Sequence, residues 1–557
     1  MSRGAAASHR PAAVIAAAPP DYDLASAVAG RKSASAGFLA AYIRHGGQDR
    51  LTCLAQEPEH GAAFREFVAA QGRVDQVVDI VESLALPPID AIGTVYTPGP
   101  DLGRHAWLRR SGGQRRFSLV GVTHTLSESA AQEAVGNLLT TPVQPWDALV
   151  CTSAAAKAAV ARTLEEYGEY FRCLVGAKLL CRAQLPVIPL GVDCDAFVAA
   201  EGARSAFRAR HDIPQEAVVL LYVGRLDHAE KANPVPLYIA AQNVAERMGR
   251  PVHLLEIGWF RSDFFAEAFA QAAAVLAPSV KRVLLDSREA DHRRGWFAAD
   301  IFVSLADSVQ ETFGLTPIEA MAAGLPVVVS DWDGYRDTVR DGIDGFRIPT
   351  LMSATGSGET IAFDYAAGNA NHTMFSAAAA QSSAVDVPAC ADALHRLIGD
   401  AELRCRMGAA ARERARQVFD WRHVIAAYQE LWRELAERRR SAPEAAAPAP
   451  RQPARPLAMD PFELFHSWSS ANLAAETRLD LPDGVTPALV DAMRQLQAAT
   501  PMPAALLDRA EISRLVETLS TGPTTAGDLI ALLEPSLRPA GWRSLTWLAK
   551  TAMIRWR

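Results

Sequence analysis

Short apolar runs alternate with longer stretches in which apolar residues recur at helical spacing, up to about residue 440. Runs of this length between turn signals are typical of buried strands. Their alternation with helices predicts parallel sheets that are covered by helices. The ten predicted strands span residues 12–18, 91–96, 117–123, 148–152, 187–190, 218–223, 252–257, 282–285, 301–305 and 326–330.

The segment after Gly191 interrupts this alternation and divides the predicted strands into two groups of five. Two doubly wound, Rossmann-like α/β domains account for such a pattern. We predict a first domain at residues 1–198 and a second domain, with terminal helices, at residues 199–440. Residues 353–383 are rich in small and polar residues without clear periodicity, which predicts a long loop, either a lid or disordered.

A linker and a third unit follow the two predicted domains. Residues 441–456 contain five prolines among alanines, which predicts an extended, semi-rigid linker. Residues 457–557 are poor in strand patterns and predict a small, mostly helical domain.

Composition and charge narrow the choice of partner and compartment. The 557 residues include 56 Lys and Arg against 63 Asp and Glu, a net charge of −7 that argues against nucleic acid as a partner. Seven scattered cysteines without a Cys-x-x-Cys pair favour a reducing compartment, and we predict the cytoplasm. The apolar run at residues 12–20 is about half the roughly 20 residues that cross a bilayer.

Two basic stretches are compatible with a peripheral contact between the protein and the inner face of the membrane. Residues 103–117 hold five arginines beside a tryptophan, a composition that attracts anionic surfaces, although a solvated helix face is the favoured interpretation. Residues 542–557 combine tryptophans with basic residues at helical spacing, and packing within the small C-terminal domain is favoured there.

Polar clusters follow three predicted strands of the second domain, at residues 224–225, 307–314 and 331–335. Ligands of open parallel sheets bind at the carboxyl ends of the strands, so the three clusters should share one edge and face one ligand. Arg225 and Lys231 follow the first of these strands. Two cations that converge on one edge suit a diphosphate, while a solvated loop with incidental charges is the alternative.

The second cluster runs into a predicted helix. Thr316 to Glu319 has the form of a capping box with Pro317 at the first helical position, so a helix should start near Thr316. Its N-terminus, with Gly314 just before it, could hold phosphate oxygens. Glu311 lies in the preceding loop and Glu319 in the first turn. An exposed loop acid and a plain helix cap are the alternatives for these two residues.

These motifs resemble a known family. Glu311 and Glu319, separated by seven residues within ETFGLTPIEAMAAGLPVV, are similar to the signature of the retaining glycosyltransferases of the GT-B fold, family four or group 1. The segments GRLDHAEKAN, LPVIPLGVDCDAF and DALVCTSAAAK resemble further elements of that family in the same order, and the likeness covers about residues 10–440. The resemblance implies a GT-B fold, in which two Rossmann-like domains face a cleft.

The resemblance also implies a role for each motif. Arg225 and Lys231 would neutralise the leaving nucleoside diphosphate. Glu319 would bind the donor ribose and Glu311 the donor sugar. The backbone around Phe313-Gly314-Leu315, with Gly224, would complete the donor site. Family members retain anomeric configuration and need no metal or other cofactor, because protein cations take the place of the metal.

The first domain departs from the family pattern. Members usually carry a Gly-Gly pair after the first strand, whereas this chain has Gly30 and Gly37 apart. We assign both glycines to donor binding. His124 ends a strand where the family places a histidine on the acceptor side of the sugar. A purely structural histidine is the alternative.

The predicted function is transfer of a hexose from a UDP-, GDP- or ADP-linked sugar to a saccharide or lipid-linked acceptor, in the synthesis of cell-surface polysaccharide or glycoconjugate. An epimerase or phosphorylase on the same fold is one alternative. Another is a non-catalytic sensor of nucleotide sugars whose C-terminal unit binds a partner or DNA, since residues 525–550 faintly resemble a helix-turn-helix.

Overall fold

The computed structural model describes residues 10–17, 30–55, 57–73, 76–82, 86–288, 294–443, 445, 452–453 and 455–557. The chain divides into two compact units, Met1–Arg455 and Pro456–Arg557. The larger unit holds two parallel six-stranded sheets, each covered by helices, which confirms the predicted α/β architecture of two Rossmann-like domains.

The first sheet has the strand order β3-β2-β1-β4-β5-β6, and every neighbouring pair is parallel. Its strands are β1 (Val14–Ala17), β2 (Arg50–Ala55), β3 (Val77–Glu82), β4 (Thr94–Tyr96), β5 (Ser118–Val122) and β6 (Ala148–Val150). The helices of this part of the chain are α1 (Gly30–His45), α2 (Pro58–Ala70), α3 (Leu86–Ile92), α4 (Gly103–Gly112), α5 (Ser129–Gly136) and α6 (Ala154–Val175).

The sequence prediction for this sheet was wrong at three places. It missed β2 and β3, whose apolar residues are interrupted by polar and charged ones. It also placed a strand at residues 187–190, where the structure has only an isolated bridge between Cys151 and Val187. The Cys151 N–H donates to the carbonyl of Pro186 there and the Cys151 carbonyl accepts from the N–H of Ile188, and Pro186, which lies in the pairing register, has no N–H to donate to β6.

The second sheet repeats the topology, with the order β12-β11-β10-β7-β8-β9. Its strands are β7 (Val219–Val223), β8 (Val252–Gly258), β9 (Val280–Asp286), β10 (Ile301–Ser304), β11 (Val327–Ser330) and β12 (Gly345–Ile348). Around it lie α7 (Ala203–Arg210), α8 (Pro234–Met248), α9 (Asp263–Leu276), α10 (Gly295–Ala298), α11 (Leu315–Ala323) and α12 (Tyr335–Thr338). The prediction missed β12, because its residues GFRI include a glycine and an arginine and so lack a continuous apolar run.

Residues 353–382, predicted as a lid or disordered loop, are a structured insertion. Strands β13 (Thr350–Met352) and β14 (Ser383–Val385) pair antiparallel and enclose two helices, α13 (Glu359–Ala366) and α14 (His372–Gln381). The Asn371 side chain caps α14 by accepting a hydrogen bond from the Met374 N–H at 2.9 Å. Alanine-rich composition favours the helix that follows this cap.

Three helices complete the larger unit: α15 (Val387–Gly399), α16 (Ala401–Arg414) and α17 (Trp421–Ser441). The sequence assigns all residues up to 440 to the second domain, but α17 packs on the first. Its buried residues Trp421 and Trp432 share a core with Phe38 and Tyr42 of α1. The chain therefore crosses between the domains a second time before this helix.

The smaller unit has a core of its own. Its elements are α18 (Pro461–Leu464), β15 (Arg478–Asp480), α19 (Pro487–Gln495), α20 (Arg509–Ser520), β16 (Thr524–Thr525), α21 (Ala526–Ala531), α22 (Arg538–Lys550) and β17 (Arg555–Trp556). Leu545 and Leu548, from the basic and aromatic stretch, are fully buried in this core. That part of the stretch is thus occupied in packing, as the sequence favoured.

The other basic stretch also has a structural explanation. Arg109 is fully buried and forms a bidentate ion pair with Asp147, at 2.6 and 2.7 Å. Arg116 pairs with Asp90. Among the described residues, no helix combines the length and the apolar character that a bilayer crossing requires.

Candidate functional site

Four consecutive strands of the second sheet, β11, β10, β7 and β8, direct polar segments to one edge. All four are parallel, so their carboxyl ends lie together. The three clusters found in the sequence follow β7, β10 and β11. The segment after β8 adds Arg261, which the sequence analysis did not select.

Arg225 and Arg261 share two buried carboxylates. Arg225 Nη2 lies 2.8 Å from Glu230 Oε2 and its Nε lies 3.5 Å from Asp227 Oδ2. Arg261 Nη2 reaches the same two acids, at 2.6 Å from Glu230 Oε2 and 2.5 Å from Asp227 Oδ2. Burial raises the pKa of Glu230, but hydrogen bonds from Thr373 and Arg261 and the charge of Arg225 outweigh it and hold that pKa below its ordinary value.

Lys231 and Glu311 form the second ion pair of the site, with 3.1 Å between Nζ and Oε2. Burial opposes ionisation of Glu311, yet Lys231 and the N–H groups of Phe313 and Thr312 outweigh it and lower the pKa of this carboxyl. Three cations thus face three carboxylates at this edge. A bound anion would have to share or replace these partners, so the positive potential expected from Arg225 and Lys231 is largely balanced in this arrangement.

Helix α11 begins one residue earlier than predicted and lacks the predicted capping box. It starts at Leu315, and Gly314 is its N-cap, without a side-chain hydrogen bond. Thr316 is already the second helical residue, which is why its hydroxyl cannot act as the cap. Half-buried Glu319 lies in the first turns of this helix, four residues after Leu315.

Gly314 is held in a left-handed conformation, with φ of +88°, against the ring of Tyr335. A Cβ at Gly314 would lie 2.0 Å from a ring carbon of Tyr335, and a Cβ at Gly334 would lie 2.4 Å from the Cα of Phe313. The Tyr335 hydroxyl bonds Ser304 at 2.9 Å. The loops after β10 and β11 are consequently locked together, which fixes the backbone of residues 313–315.

Two buried aspartates at this edge have strongly shifted pKa values. Burial raises the pKa of Asp307 to about 7, although the Asn233 N–H donates to it at 3.2 Å. Burial, with the charges of Glu311 and Asp337, raises the pKa of Asp333 to about 8. Perturbed acids in a cleft are typical of functional sites. The sequence placed both residues in the clusters but gave neither a role, because burial depends on contacts from other elements.

The loop after β6 faces this edge from the first domain. Thr152 Oγ1 donates to the Thr312 carbonyl at 3.3 Å, and Ser153 Oγ lies 3.5 Å from Asp333 Oδ1. Asp337 accepts a 2.6 Å hydrogen bond from the N–H of Ala154, the first residue of α6. A carboxylate at a helix N-terminus is favourable. The motif DALVCTSAAAK thus meets the paired-glutamate motif across the cleft.

The remaining predicted residues are placed differently. His124 follows β5, on the segment whose Ser127 contacts His372 of the second domain. Gly37 lies within α1, where a Cβ would be 3.1 Å from the indole of Trp421, so helix packing accounts for it. Gly30 is the first residue of α1.

Gly224 lies at the edge of the site, next to Arg225. Its carbonyl oxygen would be only 2.0 Å from a Cβ at Gly258, and its N–H donates to the Ile257 carbonyl at 3.0 Å. The loop after β7 therefore runs tightly beside the end of β8, which carries the chain on to Arg261.

Comparison with known proteins finds similarity in the second domain. Residues 203–362 match the family model described as "Glycosyl transferases group 1". A D-inositol 3-phosphate glycosyltransferase of Kineococcus radiotolerans is 32% identical over 269 residues, which cover 46% of this chain and 53% of the relative. A phosphatidyl-myo-inositol mannosyltransferase of Mycobacterium tuberculosis is 34% identical over 163 residues, 29% of this chain and 39% of the relative. The chain thus spans about half the length, or less, of these curated relatives.

A solved structure shows the same fold over most of the larger unit. The glycosyltransferase from Rickettsia africae superposes with a TM-score of 0.50 at 16% identity, over 74% of this chain and 96% of that one. At this identity the likeness concerns the fold alone. The family resemblance that the sequence motifs predicted is confirmed, and the two sheets are those of a GT-B fold.

Proposed function

We propose, from the membership of its second Rossmann-like domain in the group 1 glycosyltransferases, that this chain transfers a hexose from a nucleoside-diphosphate sugar to a saccharide or lipid-linked acceptor. The proposal depends on one observation. The ion pairs of Arg225, the Lys231–Glu311 pair and the start of α11 lie together at the same edge of the second sheet. Cations and a helix N-terminus at the end of parallel strands are suited to a diphosphate.

The proposed roles follow the family resemblance. Arg225 and Lys231 take up the charge of the departing diphosphate, and the backbone of residues 313–315 holds its oxygens. Glu311 faces the sugar and Glu319 the ribose. Electrostatic preorganisation is then the main source of catalysis, because the ion pairs fix these groups before the donor arrives.

We further propose that transfer retains anomeric configuration and needs no divalent metal. Retention is proposed from the family resemblance alone. The support for metal independence is that Arg225, Arg261 and Lys231 are positioned at this edge, where a bound diphosphate could replace their carboxylate partners. The names of the curated relatives suggest an inositol phosphate or phosphatidylinositol as one acceptor class to try first. The cytoplasm remains the proposed compartment, on the grounds of seven scattered cysteines.

The proposal is tested by a thermal-shift screen of the purified chain with UDP-, GDP- and ADP-hexoses. A ligand at about 100 times its dissociation constant stabilises a protein by roughly 2.7 kcal/mol, enough to move the unfolding temperature. The ligand that stabilises the chain is then incubated with it, and release of nucleoside diphosphate is measured with and without candidate acceptors. Stabilisation without any release would favour the nucleotide-sugar sensor instead.

A further inference from the structure

The helical insertion at residues 353–382 touches both sides of the cleft. Towards the first domain, His372 Nε2 lies 2.9 Å from Ser127 Oγ, and the Ser129 N–H donates to the Tyr365 hydroxyl at 3.1 Å. Both serines lie on the segment that follows His124. The insertion is therefore anchored on the part of the first domain that the sequence assigned to the acceptor side.

Towards the second domain, Thr373, which follows His372 in α14, contacts the cluster formed by Arg225, Arg261, Asp227 and Glu230. Arg261 Nη1 donates to Thr373 Oγ1 at 2.9 Å, and the Thr373 hydroxyl donates in turn to Glu230 Oε1. The other oxygen of Glu230 accepts from both Arg225 and Arg261, at 2.8 and 2.6 Å. A single hydroxyl thus uses its donor and its acceptor capacity within the charged cluster.

These contacts form a continuous chain across the cleft. It runs from Ser127 to His372, through the α14 backbone to Thr373, and through Glu230 to Arg225. Glu230 is 8% and Arg225 17% exposed in their side chains, so neither group is screened by much solvent. Arg225 also lies 3.5 Å from Asp227 and 3.4 Å from Gln310, and its shortest contact is the 2.8 Å one to Glu230. The orientation of Arg225 therefore depends in part on where Glu230 is held, and Thr373 holds one of the two Glu230 oxygens.

We propose that Thr373 and Arg261 are positioning residues that set the orientation of Arg225 for the donor diphosphate, and that docking of the insertion on Ser127 sets Thr373. This inference rests on the proposed function. It assigns the insertion a purpose in the reaction: donor binding is completed when α14 is seated against the first domain.

The test compares donor kinetics of the full-length wild type with those of Thr373→Val, which removes the hydroxyl and keeps the shape. A hydrogen bond to a charged group contributes enough that we expect kcat/KM for the donor to fall about tenfold, mostly through KM. Thr373→Ser restores the hydroxyl and should stay within about twofold of the wild type. Thr360→Val is the matched control: exposed Thr360 is likewise the second residue of its helix, α13, so it should also stay within about twofold.

Two further variants separate positioning from a simple folding defect. Arg261→Lys keeps the charge but loses the fork that spans Thr373 and both acids, and it should raise the donor KM as Thr373→Val does. Ser127→Ala should raise it too, and the double variant with Thr373→Val should show less than the product of the two single effects, because both act through one chain. Unfolding temperatures are measured for all variants.

The possible results distinguish a failure of the proposed function from a failure of the proposed positioning by Thr373 and Arg261. A wild-type chain that neither binds nor turns over any nucleotide sugar refutes the proposed function itself. A wild type with normal turnover refutes only the positioning chain if Thr373→Val matches it within about twofold, or if the Ser127 and Thr373 effects simply multiply. Should Thr373→Val fail to fold, Arg261→Lys and Ser127→Ala decide the matter by the same criteria.

Discussion

Replacing Gly314 with alanine should damage both the stability and the donor site of this chain. The substitution adds one methyl group to a residue whose φ is +88° and whose neighbour is the Tyr335 ring. Tyr335 is 2% exposed, and its hydroxyl bonds Ser304 at 2.9 Å, so the ring has no free space into which to turn.

The loss in the free energy of unfolding that we expect for Gly314→Ala has two parts. A left-handed conformation disfavours alanine relative to glycine by about 1 kcal/mol. The new Cβ would lie 2.0 Å from a ring carbon, where ordinary contact begins at 3.4 Å, and relieving such overpacking typically costs about 1–3 kcal/mol. The total is about 2–4 kcal/mol of the free energy of unfolding.

Gly356 provides a matched control. Its φ of +92° is nearly the same, but a Cβ there would meet nothing within 4 Å. Gly356→Ala should therefore show only the backbone part, about 1 kcal/mol. Thermal unfolding of both variants, followed by circular dichroism, should give Gly314→Ala an unfolding temperature roughly 1–3 °C below that of Gly356→Ala. Equal unfolding temperatures, with donor affinity unchanged in both, would show that the packing of Gly314 on Tyr335 does not hold residues 313–315.

Four further results are expected. Glu311→Gln should lower kcat by about 10²–10³ with little change in donor affinity, whereas Glu319→Gln should mainly weaken donor binding, as rates and donor titrations will show. Burial raises the pKa of Asp333 to about 8 from an ordinary 3.8. Between these pH values the folded chain binds a proton that the unfolded chain has lost, so the free energy of unfolding should fall as the pH rises. In Asp333→Asn, urea titrations at pH 5 and pH 8 should show a smaller difference in this free energy than in the wild type. A chain ending at Arg455 should keep donor hydrolysis, because every donor motif lies in the larger unit. Transferase activity should be unchanged by EDTA, because Arg225 and Lys231 are proposed to neutralise the diphosphate in place of a metal ion.

Each of these expectations has a result that would contradict it. Turnover lost in Glu319→Gln at saturating donor, with Glu311→Gln nearly normal, would reverse the two roles. An unchanged pH dependence in Asp333→Asn would mean that this carboxyl ionises normally. A folded chain ending at Arg455 that cannot hydrolyse donor would place the smaller unit in the catalytic module. Inactivation by EDTA that Mg²⁺ or Mn²⁺ reverses would exclude the metal-free proposal.

The fold could be read from the sequence where strands are apolar and continuous, and not elsewhere. Val327–Ser330 and Ile301–Ser304 stand out because they are buried on both faces. Arg50–Ala55 and Val77–Glu82 lie towards one side of the first sheet and carry charged residues, so their pattern is broken. The two helices of the insertion were not predicted, because their small residues give no apolar periodicity. Asn371 was an available signal for the N-cap of the second helix.

The candidate site was predictable as far as local motifs reach. The motifs with Glu311, Arg225 and Lys231 follow neighbouring strands, and the structure brings these residues to one edge of the second sheet, as the sequence predicted. The capping box failed because a threonine near a helix start does not determine which residue is the cap. Arg261 and Thr373 could not be found, because they join the cluster only through contacts between segments distant in sequence.

We propose that the edge formed by Arg225, Lys231 and Glu311 breaks the bond between a hexose and a nucleoside diphosphate. The measurement that tests it most directly is release of nucleoside diphosphate from the donor that binds, by the wild type and by Lys231→Ala, with donor binding confirmed for both by titration. We expect steady release by the wild type, accelerated by the correct acceptor, and a loss on the order of 10²–10³ in Lys231→Ala at saturating donor. Release at an equal rate from both proteins, or tight donor binding with no release from the wild type under any acceptor, would contradict the account.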